Sequence, residues 1–354
     1  MVIVGDVSTI NSYVFGGISI CLNSFLILVI CYRSVEVMGP YKYMMIVSAV
    51  LDLLFSVVCI VATPTFAAME EMSSLLIVEG GVFLPTFWAM LALIFFVFLL
   101  CQTIATPPCL FVFRYLQICK AKFIAEHYRS LRYLLIVPLF ISTSTSALIC
   151  LAAWPSQSEI AYFREIAINF DIQRDATFLA ATLKNDEGFE DPFDYAQSRI
   201  MLVALIYLIV VMVSALTIML YCTKRILKAA RESFSEKTRK LQMQLHKTLI
   251  AQQLSHIYPF QFLIPFIFIH IPFYFSIIAP LFSFGTGSLS NYLPFLFAWC
   301  PAINPLVIIC FISDYRGIVL RRFRKVKKEH SSTNGISQNT SQKVWSEKVA
   351  SRHC

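Results

Sequence analysis

Seven stretches of this chain, near residues 10–32, 43–66, 86–113, 133–153, 200–222, 258–281 and 292–312, are long and apolar enough to cross a bilayer as helices. Each crossing needs roughly 20 mostly apolar residues. Hydrocarbon offers the backbone no water to bond, so a spanning segment must satisfy its own amides, which a helix does. Only 14% of the residues are charged, against about a quarter in soluble domains, which excludes a water-soluble globule for most of the chain. The predicted class is an all-α membrane protein, a seven-transmembrane helix bundle.

Seven crossings place the termini on opposite sides, and basic residues decide which side is which because Lys- and Arg-rich loops stay cytoplasmic. With the N-terminus outside, the inner segments 33–42, 114–132, 223–247 and 313–354 hold 25 of the 29 Lys and Arg residues. The remaining four fall in 154–199. Acidic residues run the other way, with 13 outside, 7 inside and only Asp52 within a span. The expected topology is therefore N-terminus outside and C-terminus cytoplasmic. The net charge of +8 then belongs to the membrane surface and does not point to nucleic acid. The opening MVIVGDVSTI lacks a basic n-region, so the first span is expected to serve as an anchor. All eleven cysteines lie in spans or inner segments, where thiols are kept reduced, so no disulfide framework is expected.

Residues 1–312 form the predicted transmembrane domain and 313–354 a basic cytoplasmic tail. In the tail, YRGIVLRRFRKVKKEH suits a juxtamembrane helix on the anionic inner leaflet, and SSTNGISQNTSQK reads as disordered. The outer segment 154–199 mixes aromatic and acidic residues. It reads equally as a solvated acidic loop and as a lid over the bundle mouth.

Ionisable and strongly polar groups inside a membrane are functional candidates because they are costly unless paired or hydrated. Asn23, Asp52 and Asn304 all fall about 15 Å above the inner surface, counting helical rise from the nearest surface residue. The expectation is one network of two amides and a carboxylate; the alternative is three groups satisfied separately. Pro301 and Pro305 flank Asn304 closely and favour a bend in the last span, as a moving part or a static kink. His270 is the other titratable residue at depth, either packed in the core or touching a ligand. The chain has no H-E-x-x-H motif, P-loop or intramembrane acid–base pair, and its six histidines are scattered. No catalytic, cofactor or metal site is predicted.

Four segments in order, MGPYKYMMIVSAVLDLLFS, FVFRYLQ, LQMQLHKTLIAQ and CPAINPLVIICFISDYR, make the chain resemble the nematode serpentine chemoreceptors, closest to the Str group. The resemblance implies a G-protein-coupled receptor of the plasma membrane, in sensory perception or olfaction and in a sensory cilium. An external small molecule or peptide would be the ligand and a heterotrimeric G protein the inner partner. It places the coupling surface at Arg114, Tyr115, Lys224, Arg225, Lys228, Tyr315 and Arg316. Candidate pocket residues are Trp88, Phe95, His270, Phe273, Tyr292, Phe295 and Trp299, though aromatic residues at helical spacing also serve as packing. A ligand-gated channel or transporter is the competing class, and would need more polar groups along a membrane path.

Three features depart from rhodopsin-like receptors. There is no cysteine in 154–199 or around 82–90, so the usual disulfide from the third helix to the outer loop cannot form. Pro107 and Pro108 lie one to two turns before Arg114 and question the continuity of the third helix. QLSHIYPFQF, 253–262, makes the sixth apolar region too long for one crossing. It reads as an insertion, from alternative splicing or a gene-model error.

Overall fold

The computed structural model describes residues 4–32, 41–69, 74–78, 84–120, 133–155, 177–182, 192–235, 266–272 and 293–311, with 123, 126 and 160 singly. Its helices are α1 Val4–Tyr32, α2 Tyr41–Ala62, α3 Thr86–Cys119, α4 Tyr133–Ala152, α5 Pro192–Ser235 and α6 Leu293–Phe311, with a π-helical turn at Phe266–His270. Five of these, α1 to α5, are long and apolar enough to cross a membrane, and Phe295–Cys310 within α6 is a shorter apolar helix. The predicted sixth span lies mostly outside the described residues, as do segment 253–262 and the tail beyond 311. The chain divides into two compact units, Met1–Val307 and Ile308–Cys354; the site described next belongs to the first.

Helix α3 is the centre of the bundle, packed against α2, α4 and α5, while α1 packs on α2. Its buried residues recur around most of its girth, including Leu93, Phe96, Leu100, Ile104 and Phe111, as expected for a helix apolar on every side. Phe96 stacks on Phe55 of α2 with ring centroids 5.7 Å apart. Gly16 lets α1 approach α2 closely, since a Cβ there would lie 2.6 Å from Cγ1 of Ile60.

Helix α3 continues through Pro107 and Pro108 for 34 residues, about 51 Å, so Arg114 stays on it. The two prolines remove the amides that would bond the carbonyls of Thr103 and Ile104, and neighbouring helices that bury this turn stabilise it. Helix α5 is longer still, 44 residues, and carries Lys224, Arg225 and Lys228 in its C-terminal third.

The all-α expectation needs one correction. Strands β1 Thr65–Met69, β2 Ser74–Val78 and β3 Phe178–Thr182 form an antiparallel sheet in the order β1-β2-β3. Thr65 pairs with Val78, and Val78 with Phe178. The runs TFAAM and SLLIV between α2 and α3 are short and apolar, a length at which strand and helix are hard to separate by pattern alone. Thr63, at φ 33°, turns the chain out of α2 toward β1. Leu179 is wholly buried, the Ala180 amide donates to the Ala153 carbonyl at 2.9 Å, and the Gln197 side-chain amide donates to the Trp154 carbonyl. These contacts tie the sheet to the ends of α4 and α5. The described cysteines are all free thiols.

Candidate functional site

The three deep polar residues are linked, but not as a single carboxylate cage. Asn304 of α6 donates its Nδ2 to Oδ2 of Asp52 on α2 at 2.8 Å. Asn23 of α1 reaches elsewhere, donating to the carbonyl of Pro301 at 3.0 Å. That choice follows from the sequence of α6: Pro305 has no N–H for the carbonyl four residues earlier, which is Pro301. The Asn23 amide replaces the missing donor and staples α1 to α6.

Two serines join the pairs. Asn23 also donates to the hydroxyl of Ser19 at 3.1 Å, the Ser19 and Ser56 hydroxyl oxygens lie 2.6 Å apart, and Ser56 donates to the Asp52 carbonyl at 2.7 Å. The result is a buried polar seam through α1, α2 and α6. Such groups are costly in a membrane unless bonded, and here each hydroxyl has a partner. Oδ1 of Asn23 has none among the described residues.

Beside this seam lies a cavity of about 70 Å³, polar and roomy enough to admit water. Asp52 and Asn304 line one side, with Cys300 and Ile269; α3 lines the other with Gln102, Thr103, Thr106, Pro107, Leu110, Phe111 and Arg114. Gln102, Thr106, Leu110 and Arg114 are each four residues apart, one ridge of a helix. Gln102 donates its Nε2 to the Thr106 hydroxyl at 3.1 Å. Its Oε1 is buried without a hydrogen-bond partner among the described residues. Arg114 is only 4% exposed, so its guanidinium is turned into the protein and does not snorkel to a membrane surface.

Of the other coupling candidates, Tyr115 is the next residue along α3, and Lys224, Arg225 and Lys228 lie on α5. Tyr115 meets Tyr221 of α5 edge to face, ring centroids 6.2 Å apart. Arg225 donates its Nε to the Tyr221 hydroxyl at 3.2 Å and lies over that ring at 5.5 Å, an exposed cation–π pair. The Cys119 thiol approaches the Arg225 carbonyl at 3.9 Å. Lys224 and Lys228 are exposed. Tyr315 and Arg316 lie outside the described residues.

The predicted aromatic pocket is brought together only in part. Trp299 packs against Phe15 of α1 at 4.7 Å and Phe268 at 6.3 Å between ring centroids, and donates its indole N–H to Asn11 Oδ1 at 2.9 Å. Phe295 is half-buried and His270 is buried. Trp88 and Phe95 are instead 55% and 42% exposed on the outside of α3, Phe95 stacking on Phe98 of its own helix. Phe273 and Tyr292 lie outside the described residues.

Ser19, Ser56, Gln102, Thr106, Tyr221 and Asn11 are the participants that the sequence reading missed. A usable signal existed: Ser19 lies four before Asn23, Ser56 four after Asp52, and Tyr221 four before Arg225, the spacing that stacks side chains on one helix face.

Known proteins give a consistent picture. The family described as "Serpentine type 7TM GPCR chemoreceptor Str" matches residues 8–320. "G-protein coupled receptor str-33" of Caenorhabditis elegans is 24% identical over 316 residues, 87% of this chain and 88% of that protein. "Serpentine receptor class r-10" of Caenorhabditis briggsae is 25% identical, covering 91% of this chain and 92% of that protein. Its Caenorhabditis elegans namesake is 24% identical over 84% of this chain and 86% of its own length.

Proposed function

The chain belongs to the serpentine type 7TM GPCR chemoreceptor Str family, and from that premise we propose that it binds an external small molecule or peptide and activates a heterotrimeric G protein from the plasma membrane. The observation that carries this reading is the placing of Arg114. A permanently charged guanidinium is buried at the end of the central helix, beside a polar cavity shared with Asp52 and Asn304. Such a group acts as a switch where an arrangement turned inward and one presented to a partner are close in free energy, since a ligand then need only favour one.

The remaining roles divide by position. Tyr115, Lys224, Arg225 and Lys228 form the G-protein contact surface; Tyr315 and Arg316, outside the described residues, are assigned to coupling by the family resemblance alone. The outer end takes the ligand, and the Trp299 cluster with Asn11 suits it best: aromatic faces for an apolar body, and an amide whose Nδ2 has no hydrogen-bond partner among the described residues. Asp52, Asn23 and Asn304 form the polar link between α1, α2 and α6, which carries the change inward.

Heterologous expression with a chemical panel, reading G-protein activation and membrane current together, tests this reading. Ligand-dependent G-protein activation is expected, and Arg114→Ala should retain surface expression and ligand binding while losing most signalling. Current that persists without any G protein would instead establish a channel.

A further inference from the structure

The three-stranded sheet has two edges, and they are not alike. At the β3 edge the Ala180 amide points away from β2 and bonds the Ala153 carbonyl at 2.9 Å, so the end of α4 occupies that side. The same bond fixes the phase of the sheet, because paired residues of an antiparallel ladder alternate between those that exchange hydrogen bonds and those that do not. Ala180 faces Leu76, so Leu76 turns its amide and carbonyl toward β1, where its partner is Ala67. Thr65, Ala67 and Met69 therefore bond β2, while Phe66 and Ala68 turn their backbone groups outward. Among the described residues, neither makes a backbone hydrogen bond on that side.

The β1 edge is thus an open template, with two amide donors and two carbonyl acceptors along one line. Edge strands are ordinarily blunted by a lysine, a proline or a bulge. The run TFAAM has neither residue, and its pairing with β2 is continuous over all five positions. Charge selects what can occupy it. From Thr65 to Val78 the sequence holds two acids, Glu70 and Glu71, and no base, and the segments assigned to the outer face hold 13 acidic residues against four basic ones. A second copy of this chain would bring the same excess of negative charge, whereas a basic peptide is drawn to it.

We infer that the open edge of β1 is a docking site for an extended basic peptide, which adds as a further antiparallel strand bonded to Phe66 and Ala68. This rests on the receptor reading proposed above and narrows its ligand to a peptide. Antiparallel addition continues the pattern of the sheet and is the more stable pairing per residue. The main-chain bonds hold the peptide extended, and its side chains at alternate positions are left to decide which sequence binds.

The test uses membranes containing the full chain and a fluorescein-labelled synthetic peptide of alternating Val and Thr that ends in Lys-Arg. Binding is read by fluorescence anisotropy, beside nucleotide exchange on a co-expressed G protein for this peptide and for a chemical panel. Saturable binding is expected, and a counterpart ending in Glu-Glu should bind more weakly. Backbone N-methylation of the peptide, one residue at a time, should weaken binding about tenfold at every second position and leave the positions between unchanged. Ala68→Pro removes an outward amide and no bond of the ladder, a place where an edge strand accepts proline, so surface expression should hold while peptide affinity falls about tenfold. The N-methyl series reads the same bonds in the wild-type chain, independently of how that variant folds. No saturable binding to wild type, N-methyl effects without alternation, or equal affinity in wild type and well-expressed Ala68→Pro overturns the inference. So does pairing of two receptor copies that Ala68→Pro abolishes, which assigns the edge to a second copy. A small molecule that drives exchange equally in wild type and Ala68→Pro, while no peptide binds, overturns the peptide site and leaves the receptor reading standing. Alternating N-methyl effects on binding, with no exchange from any ligand, sustain the docking edge and overturn the coupling role instead.

Discussion

The bond from Asn23 to the Pro301 carbonyl makes a sharp quantitative prediction, because it repairs a defect that the sequence of α6 creates. Replacing Asn23 by Leu keeps the volume but leaves the buried Pro301 carbonyl without a donor from either Pro305 or α1. Stranding a buried carbonyl costs about 1–3 kcal/mol, and side-chain bonds between membrane helices average nearer 0.6, so a loss of about 1–2 kcal/mol is expected. In a thermal unfolding assay of the detergent-solubilised receptor this is a fall of roughly 2–8 °C, taking about 2–4 °C per kcal/mol for a chain of this order of size. Pro305→Ala returns a backbone N–H to the Pro301 carbonyl. Asn23→Leu should therefore cost much less in that background, with a coupling of about 1 kcal/mol in the double-mutant cycle. If the two losses simply add, Asn23 does not replace the missing amide, and the explanation of the α1–α6 contact is wrong.

Three further outcomes follow from single contacts. Tyr221→Phe keeps the ring against Tyr115 but removes the Arg225 acceptor, so the melting temperature should hardly change, the pair being solvent-exposed, while agonist potency in a G-protein assay falls. Gly16→Ala forces a Cβ against Ile60 and should lower the melting temperature through a loss of about 1–3 kcal/mol; shortening the neighbour, as Gly16→Ala with Ile60→Ala, should recover part of it. Ala180→Pro removes the amide that bonds the Ala153 carbonyl and should cost about 1–3 kcal/mol, seen as faster hydrogen exchange in β3 with the inner half of the bundle unchanged.

Local composition carried a large share of the architecture. The windows 10–32, 43–66, 86–113, 133–153 and 200–222 overlie α1 to α5, because a stretch without water must be helical and apolar whatever its neighbours are. The same averaging hid the sheet. Five-residue runs such as TFAAM and SLLIV are too short for hydropathy to separate strand from helix, and the pairing of β2 with β3 joins residues about a hundred positions apart in sequence.

At the site the division is finer. Sequence alone singled out Asn23, Asp52 and Asn304 as candidates, since polar groups in an apolar span stand out by chemistry. It assigned Asn23 to the carboxylate, and only packing showed that the amide serves the carbonyl orphaned by Pro305. It gave Arg114 as a coupling residue by resemblance, and only the rotational phase of α3 turned the ridge from Gln102 to Arg114 onto the cavity. Hydropathy identifies which stretches are long and apolar enough to cross a membrane. Which way a side chain faces depends on how one helix is turned against the next, a property of the packed bundle that no single stretch of sequence contains.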